Sequence, residues 1–537
     1  MQNALEIFNK IKDAKNWKTN SLQKILKRYP KEGKGLYRHD ELVQTYKELT
    51  SKKKLEKSKL IEERIRMKPT RTQSGVTIIT VLMKPYPCPG QCIFCPNEKD
   101  MPKSYISSEP GAQRALTHNF DPYDQTRKRI EALQNIGHST DKIELIILGG
   151  TCSVYPENYQ IWFVKRCFDA MNSFSRNYKE RDIPKEKITW NDLYKVQKLN
   201  EKANCRNVGL VLETRPDYIT ENEIVRMRKL GTTKVQIGVQ SLNNKILKLN
   251  KRGHTIKETK KAIKLLRLAG FKIHAHIMPN LYGSNLKQDI ADYKNLWTKD
   301  YYPDELKIYP TSILPDTELA ELYQKGEYKP YSKDELLEYF VKTLPHTPRS
   351  VRLTRIVRDI PSDEIVAGNK ATNFRQIAEK EITRKGLKIE DIRSREIKDR
   401  KISWEGIKEE TIKYNTTVST EYFISYKTKD TDQICGFLRL SLPKKSLSKN
   451  HFINELQNSS IIREVHVYGS VVNIGDRSKG ESQHLGLGKT LIQRAEDISQ
   501  SHNFKKISVI SAIGTRKYYK KRGFKQNELF MNKPLKE

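Results

Sequence analysis

Three cysteines lie within the stretch PYPCPGQCIFCPN, and their spacing suggests a shared ligand. Three residues separate Cys88 from Cys92, and two separate Cys92 from Cys95. A structural zinc site normally takes four N or S ligands, yet no second cysteine pair and no Cys/His pair at ligand spacing stands nearby in the sequence. A disulfide would leave one thiol over. An iron–sulfur cluster on three thiolates would leave one iron open to chelate a small molecule.

The cysteines follow the first of about six apolar runs that alternate with amphipathic segments. The runs are GVTIITVLM, KIELIILGGT, NVGLVLETRPD, KVQIGVQS, KIHAHIMPN and DELKIYPTSI. Short, nearly continuous apolar runs are typical of parallel strands covered on both faces. Their alternation with helices predicts an α/β fold, with a full or partial (β/α) barrel as its architecture. The polar residues that end each run would then lie where such folds hold their sites, at the carboxyl ends of the strands.

A second α/β unit is predicted from about residue 400 onward. TEYFISYKTKDTDQICGFLRLSL indicates two strands around a polar turn, and IIREVHVYGSVV indicates another strand. The motif QHLGLGK then opens an amphipathic helix and fits Q-x-x-G-x-G. Backbone N–H groups at the start of such a helix suit a pyrophosphate. Glycine-rich turns are common, so the weight of this motif comes from the strand and helix around it.

The composition favours an intracellular enzyme with a polyanionic partner. The formal net charge of +36 makes nucleic acid the default partner, although a solvated lysine-rich surface would account for part of it. No apolar run approaches the ~20 residues of a membrane span, and the start of the chain is unlike a signal peptide. We therefore expect a cytoplasmic protein without a membrane partner. Four further cysteines are predicted to be small buried residues: Cys152, Cys167, Cys205 and Cys435.

The cysteine motif C-x3-C-x2-C, with Phe94 before the last cysteine, resembles that of the radical S-adenosylmethionine enzymes. The resemblance implies a 4Fe–4S cluster on Cys88, Cys92 and Cys95, whose open iron binds S-adenosylmethionine. Reductive cleavage of that cofactor yields a 5′-deoxyadenosyl radical. By the same resemblance, the strand-end motifs LGGT and ETRPD would contact the cofactor through Gly149, Gly150, Thr151, Glu213 and Arg215.

The order strand, glycine-rich loop, helix, strand, helix, strand near the end of the chain is similar to the GNAT acetyltransferases. It implies acetyl-CoA as a second cofactor. The implied contacts are Gln483, His484, Leu485, Gly486, Leu487, Gly488, Lys489 and Tyr518. A tyrosine at the start of the last helix, Tyr518 or Tyr519, would protonate the coenzyme A thiolate. The alternative is that both tyrosines only pack.

The two units in one chain resemble the Elongator catalytic-subunit family of tRNA uridine 5-carboxymethyl synthases. Further matching motifs include SYISSEPGAQRA, LETRPDY, REVHVYGSVV and GTRKYYKKRGF. The resemblance implies that the radical abstracts hydrogen from the acetyl methyl group, that the carbon adds to C5 of the wobble uridine, and that loss of the thioester gives 5-carboxymethyluridine. Lys272 and Lys307, placed near the fifth and sixth strand ends, would contact the cofactor or the anticodon loop as catalytic residues. Buried counter-charges are the alternative role for these lysines.

Four segments follow from these patterns. Residues 1–70 are predicted as a basic helical tRNA-binding segment, 71–345 as the radical S-adenosylmethionine domain, 346–400 as a basic connector and 401–537 as the GNAT domain. Some members of the family carry a structural zinc in the connector, but AGNKATNFRQ and KGLKIEDIRSRE contain neither Cys nor His, so no zinc is expected there. The expected partner is the anticodon stem-loop of tRNA, and both a homodimer and accessory subunits are left open.

Two other functions compete with tRNA modification. The first is a protein lysine acetyltransferase in which the cluster is structural, with Glu464 as its general base. The positive charge of the chain argues against it, because a basic peptide would be repelled. The second is a tRNA-binding scaffold without catalysis, which the intact thiol and glycine motifs weaken. The polar segment at about 173–207 has no assigned role.

Overall fold

The computed structural model describes residues 2–18, 20–31, 35–72, 74–358, 360–398, 400, 402–468 and 486–535. Four helices come first: α1 (Gln2–Asp13), α2 (Ser21–Arg28), α3 (His39–Ser51) and α4 (Lys59–Ile65). They share a small apolar core that includes Phe8, Leu26 and Leu42. Their basic side chains also reach the next unit, because Lys47 Nζ donates to the Gln134 carbonyl at 2.9 Å.

The first sheet has seven strands, all parallel and in chain order. They are β1 (Thr77–Leu82), β2 (Lys142–Leu148), β3 (Arg206–Thr214), β4 (Lys234–Gln240), β5 (Lys272–Ile277), β6 (Glu305–Ile308) and β7 (Arg352–Arg355). Residues of β2 alternate in burial: Ile143 and Leu145 are fully buried, whereas Lys142 and Glu144 are partly exposed. The apolar set packs against helices, and the other set faces the concave side of a curled half-barrel.

Helices cover the outside of this sheet. They are α5 (Pro110–Thr117), α6 (Pro122–Asn135), α7 (Glu157–Asn172), α8 (Trp190–Asn200), α9 (Glu221–Leu230), α10 (Asn244–Leu249), α11 (Ile256–Leu268), α12 (Leu286–Asn295), α13 (Glu318–Gln324), α14 (Lys333–Thr343) and α15 (Phe374–Arg384). Side-chain caps fix several starts: Thr255 accepts from the Lys257 N–H, and Glu258 completes a capping box. The caps set where each strand-end loop stops, and thereby position the loops that carry the candidate site.

The second sheet also has seven strands, in the order β13-β14-β12-β11-β10-β9-β8. Its elements are β8 (Ile407–Asn415), β9 (Ser419–Thr428), β10 (Ile434–Pro443), α16 (Lys445–Lys449), β11 (Ser459–Val467), α17 (Leu487–Ser501), β12 (Lys506–Val509), α18 (Arg516–Lys520), β13 (Lys525–Gln526) and β14 (Met531–Pro534). Only β11 and β12 pair in parallel among these described strands, and their pairing ends at Ile462 and Val509. Beyond that point β11 continues to Val467 paired with β10 but no longer with β12, so the two parallel strands separate in a splay.

A buried group of charges joins the two sheets. Asp304, which precedes β6 and is fully buried, accepts from Arg463 Nη1 of β11 at 3.1 Å. Arg267 of α11 and Arg439 of β10 lie 3.2 and 3.5 Å from the same carboxylate. Glu421 of β9 in turn accepts from Arg463 at 2.8 Å. We call these five side chains the buried charge cluster; it holds the second sheet against the amino end of the half-barrel.

The α/β architecture predicted from the apolar runs is confirmed for the first sheet. The sheet has a seventh strand, β7, which lies within the segment predicted as a connector, as does α15.

All four cysteines predicted to be buried residues are buried. Lys272 begins β5 and so lies at the amino end of the sheet, whereas the sequence pattern had placed it near a site-bearing strand end. In the described part of the chain, no helix is both long and apolar enough to cross a membrane.

Candidate active site

One cavity of about 1350 Å³ runs from the carboxyl ends of the first sheet to the second sheet. At one end it is lined by Cys88, Cys92 and Cys95, and at the other by His466 of β11 and Tyr519 of α18. Polar residues from the concave face of the half-barrel form the wall in between: Glu144, Gln236, Lys272, His274, His276, Glu305, Lys307 and Arg352. The three predicted thiol ligands and Tyr519, one of the two predicted tyrosines, therefore line the same cavity, whereas the described acetyl-CoA contacts at the start of α17 and Tyr518 do not line it.

The three thiols lie on a tight loop directly after β1. The Cys95 N–H donates to the Cys92 carbonyl at 3.2 Å, and Lys103 Nζ donates to the Gly90 carbonyl at 2.8 Å. The Cys88 Sγ atom is 3.8 Å from Thr151 Oγ1, at the end of the predicted LGGT motif. Across the described residues, no three Cys, His, Asp or Glu side chains are arranged as ligands of a single metal ion.

Two guanidinium groups compensate negative charge at this loop. Arg252 Nη1 donates to Cys92 Sγ at 3.1 Å, and Arg215 is held by Asp217 at 3.0 and 2.9 Å. A hydrogen bond from Cys95, against the opposing effect of burial, and then the charge of Arg252 lower the pKa of Cys92 to about 5. The thiolate form, which ligates iron, is thus favoured at neutral pH. Neither Arg252 nor its contact with Cys92 is signalled by the local sequence, because 160 residues separate the two.

The loop also fits a bulky anionic group by its shape. A Cβ at Gly90 would lie 2.2 Å from Arg215 Nη1, so a glycine at this position leaves room for the guanidinium where it stands. That Nη1 atom is buried and has no hydrogen-bond partner in the described structure. A buried, unpaired cation facing thiolates is costly unless an anion or acceptor fills the space. The residues present therefore fit an iron–sulfur cluster and the carboxylate of a bound amino acid.

The backbone of the LGGT turn, like that at Gly90, lies very close to neighbouring side chains. Gly149 has a φ of 155° and Gly150 one of 78°, and a Cβ at Gly149 would lie 2.8 Å from Met83 Cβ. Tyr155 fastens the turn, because its hydroxyl donates to the Gly149 carbonyl at 3.0 Å and to the Lys84 carbonyl at 2.7 Å. The turn thus brings Gly150 and Thr151 to the cavity wall beside Cys88.

We expect a Gly149→Ala substitution to reduce both stability and S-adenosylmethionine binding. The backbone strain and the clash with Met83 should together cost about 2–5 kcal/mol. Gly386→Ala is the matched control, because Gly386 also has a positive φ of 71° but has nothing within 4 Å of an added Cβ. It should cost only about 1–2 kcal/mol. Urea unfolding and equilibrium dialysis with S-adenosylmethionine measure the two effects, and equal losses of stability would contradict the close packing at Gly149.

Glu213 belongs to a polar chain that the sequence did not predict. Tyr105 donates to Glu213 Oε2 at 2.7 Å, and His276 Nδ1 lies 3.6 Å from Glu213 Oε1. Burial, reinforced by the charge of Lys307, lowers the pKa of His276 well below its usual value, so this imidazole is neutral. Its Nε2 atom is buried without a partner in the described structure. The alternation in KIHAHI, which places both histidines of β5 on one face, was the only available signal.

The two lysines predicted as catalytic lie deeper in the half-barrel than the thiols. Lys307 Nζ donates to Gln236 Oε1 at 2.7 Å. Lys272 pairs with Glu464 of β11 and, at 3.4 Å, with Glu305. Burial alone would raise the pKa of Glu464, but the charges of Lys272 and Arg439 outweigh it and lower that pKa. Glu464 is therefore held as an ion-pair partner, which weighs against its role as the general base of a protein acetyltransferase.

The opposite end of the cavity lies at the splayed strands β11 and β12. The predicted acetyl-CoA contacts Gly486, Leu487, Gly488 and Lys489 form the start of α17, with Gly486 at a φ of 74°. Gln483, His484 and Leu485 lie outside the described residues. The two tyrosines differ: a Cβ at Gly488 would lie 2.3 Å from the Tyr518 hydroxyl, whereas Tyr519 lines the cavity. Burial raises the pKa of both phenols, so both are protonated at neutral pH.

Known proteins and protein-family models match most of the chain. Residues 86–294 fit the model of the Radical SAM superfamily, and residues 303–384 fit that of the Radical_SAM C-terminal domain. The tRNA uridine(34) acetyltransferase of Methanocaldococcus infernus is 41% identical over 496 residues, which are 89% of each protein. Elongator complex protein 3 of Homo sapiens is 35% identical over 89% of this chain and 87% of its own length.

A solved structure shows the same fold. The archaeal Methanocaldococcus infernus Elp3 with N-terminus deletion (1-46) superposes with a TM-score of 0.71 at 38% sequence identity. The superposition covers 86% of this chain and 99% of the other.

Proposed function

The chain belongs to the family of the tRNA uridine(34) acetyltransferases and Elongator complex protein 3, and from this premise we propose that it modifies the wobble uridine of tRNA. The reaction we propose is carboxymethylation of C5, with acetyl-CoA as the donor of the two carbon atoms and S-adenosylmethionine as the source of the radical. The observation that supports it best is the single cavity that joins the thiol loop to the splayed strands of the second sheet.

At the first end, Cys88, Cys92 and Cys95 would hold the 4Fe–4S cluster, and the turn at Gly149 and Gly150 would hold S-adenosylmethionine. When bound, the pair supplies a 5′-deoxyadenosyl radical on one-electron reduction. Arg252 and Arg215 stabilise the thiolate charge, and Gly90 lets the loop approach them. The neutral imidazole of His276 and the carboxylate of Glu213 present polar atoms to a base inside the half-barrel, out of contact with bulk water.

At the second end, the start of α17 would hold the pyrophosphate of acetyl-CoA, because its free N–H groups and dipole favour anions. The splay between β11 and β12 leaves backbone groups of β11 beyond Ile462 without a partner on β12, a place for the pantetheine arm. The acetyl group would then point into the cavity past His466. Tyr519, which is protonated and lines the same cavity, would give a proton to the departing coenzyme A thiolate.

The charge of the chain suits tRNA. Residues 1–70 contain 19 lysines and arginines against 9 acidic residues, and some of these basic residues lie on the four helices that come before the first sheet. Phosphate contacts give affinity, and an unpaired anticodon base can be turned out into a pocket. The name of some relatives, Elongator complex protein 3, refers to a complex. We propose that accessory chains or a second copy of this chain complete the tRNA-binding surface.

The proposed function is tested by supplying all three substrates to reduced protein with its cluster reconstituted. We expect digestion of the tRNA to nucleosides to release 5-carboxymethyluridine only when both S-adenosylmethionine and acetyl-CoA are present. The two tyrosines provide matched variants: Tyr519→Phe should lower kcat roughly 10²-fold through loss of a proton donor. Tyr518→Phe should mainly raise KM for acetyl-CoA. Acetylation of a lysine peptide with no modified uridine would overturn the proposal, and equal kcat losses would overturn the roles of the tyrosines.

A further inference from the structure

A column of aromatic rings rises from the core of the first unit to the loop that carries the thiols. Tyr159 and Trp162 of α7 have ring centroids 5.7 Å apart, and Tyr155 stacks on Tyr159 at 5.3 Å with an angle of 19° between the rings. Tyr86 stacks on Tyr155 at 4.8 Å and 30°. Tyr155 and Tyr159 are buried, whereas Tyr86 is 37% exposed. The column thus ends at the surface in a ring with one face covered and the remainder accessible.

The backbone on both sides of this last ring is fixed. Tyr86 stands between Pro85 and Pro87, whose rings fix their φ angles. Lys84, which precedes this segment, is held on both sides: its N–H donates to the Tyr159 hydroxyl oxygen at 3.1 Å, and its carbonyl accepts from the Tyr155 hydroxyl at 2.7 Å. A side chain that is already ordered loses little entropy on binding.

We propose that Tyr86 is a stacking platform for an unpaired nucleobase of the tRNA anticodon loop, next to the uridine that is modified. The inference rests on the proposed function for the identity of the RNA. Tyr86 is two residues from Cys88, so their Cα atoms are at most about 7 Å apart. Tyr155, on which it stacks, also fastens the LGGT turn. A base on Tyr86 would therefore be held at the thiol end of the cavity while its neighbour enters.

Charge around the column favours a nucleic acid over an apolar peptide. Lys84 Nζ lies 5.4 Å from the centre of the Tyr159 ring, and Lys185 Nζ lies 4.4 Å from that of Trp162. Lys185 comes from the polar segment that had no assigned role. Residues 176–187 of that segment contain five basic and three acidic residues. Stacking on aromatic rings with lysines nearby for phosphates is the usual way in which proteins bind single-stranded nucleic acid.

The test measures binding of full-length tRNA to the full chain, separately from modification. We expect Tyr86→Ala to weaken the Kd about 10-fold and Tyr86→Phe, which keeps the ring, to stay within about twofold. A tRNA that lacks the base on one side of the target uridine should lose the same factor with the wild-type chain. With Tyr86→Ala, removal of that base should cost nothing further. 2-Aminopurine at the same position should be quenched by the wild-type chain and by Tyr86→Phe, but not by Tyr86→Ala.

Several results would overturn the inference. Wild-type binding that is unaffected by removal of either neighbouring base would exclude stacking, whatever the variants do. Stacking would also be excluded if removal of the base and the Tyr86→Ala substitution weakened the Kd by factors that multiply. It would equally be excluded if Tyr86→Phe and Tyr86→Ala weakened the Kd by the same factor. Iron content of each variant shows whether the thiol loop is intact. If wild-type protein modifies tRNA while Tyr86→Ala binds it with unchanged Kd, only this inference fails. If tRNA is neither bound nor modified, the proposed function fails as well.

Discussion

Replacing Cys92 with alanine is expected to reduce formation of 5-carboxymethyluridine by roughly 10³-fold or more, because the cofactor and not the protein supplies the hard chemistry. Cys92 is the most enclosed thiol of the loop, at 6% exposure, and the one that Arg252 contacts. Its loss removes a cluster ligand and leaves that guanidinium without its partner. Iron and sulfide content, 5′-deoxyadenosine production and modified nucleoside should all fall together.

Cys167→Ala is the control for loss of a thiol as such. Cys167 is fully buried in α7, and its Sγ atom lies 3.8 Å from the Pro122 carbonyl, away from the loop. This variant should keep its iron and lose about 1 kcal/mol of stability. A Cys92→Ala chain that still forms the modified uridine would rule out the radical reaction that we propose.

Replacing Asp304 with asparagine is expected to lower the free energy of unfolding by about 3–5 kcal/mol, because it leaves buried arginines without their carboxylate. Burial would raise the pKa of Asp304, but Arg463, Arg267 and Arg439 together lower it strongly. A lowered pKa means that the stabilisation is complete above the unfolded value of about 4 and is lost as the pH falls further below it. The difference between variant and wild type, measured by urea unfolding, should therefore shrink in acid.

Asp300→Asn provides the comparison four residues away. Asp300 pairs with Lys260 at 2.6 Å, and the two side chains are 30% and 45% exposed. Its loss should cost no more than about 1 kcal/mol, as is usual for surface ion pairs. If both substitutions cost the same, the buried charge cluster does not stabilise the contact between the two sheets.

The sequence predicts those parts of the fold that bury continuous apolar runs. β2 and β3 are evident because their apolar residues are adjacent or alternate in short stretches. β7 was missed, because RLTR is four residues long and has arginine at both ends. β8 was missed for a related reason: as an edge strand it exposes most of its residues, so IKEETIKYN carries little apolar signal.

The candidate site likewise contains residues that the sequence predicts and residues that it does not. The cysteine spacing and the two glycines are local, so a short stretch of sequence is enough to predict them. Arg252, Tyr105 and His276 reach the site from other elements, and their roles depend on how strands that are distant in sequence are placed side by side. Lys272 is a different case: it opens the run KIHAHIMPN, and β5 begins at the same residue, so its position at the amino end of the strand was already visible in the sequence and grouping it with the carboxyl-end residues is wrong.

The buried charge cluster also constrains how this protein can change over generations. Asp304 and Arg267 belong to the unit built on the first sheet, whereas Arg439, Arg463 and Glu421 belong to the second sheet. An exchange of one unit between two lineages would succeed only where the incoming unit brought the matching charges. We therefore expect the two units to be inherited together, because a change of charge in one must be matched in the other.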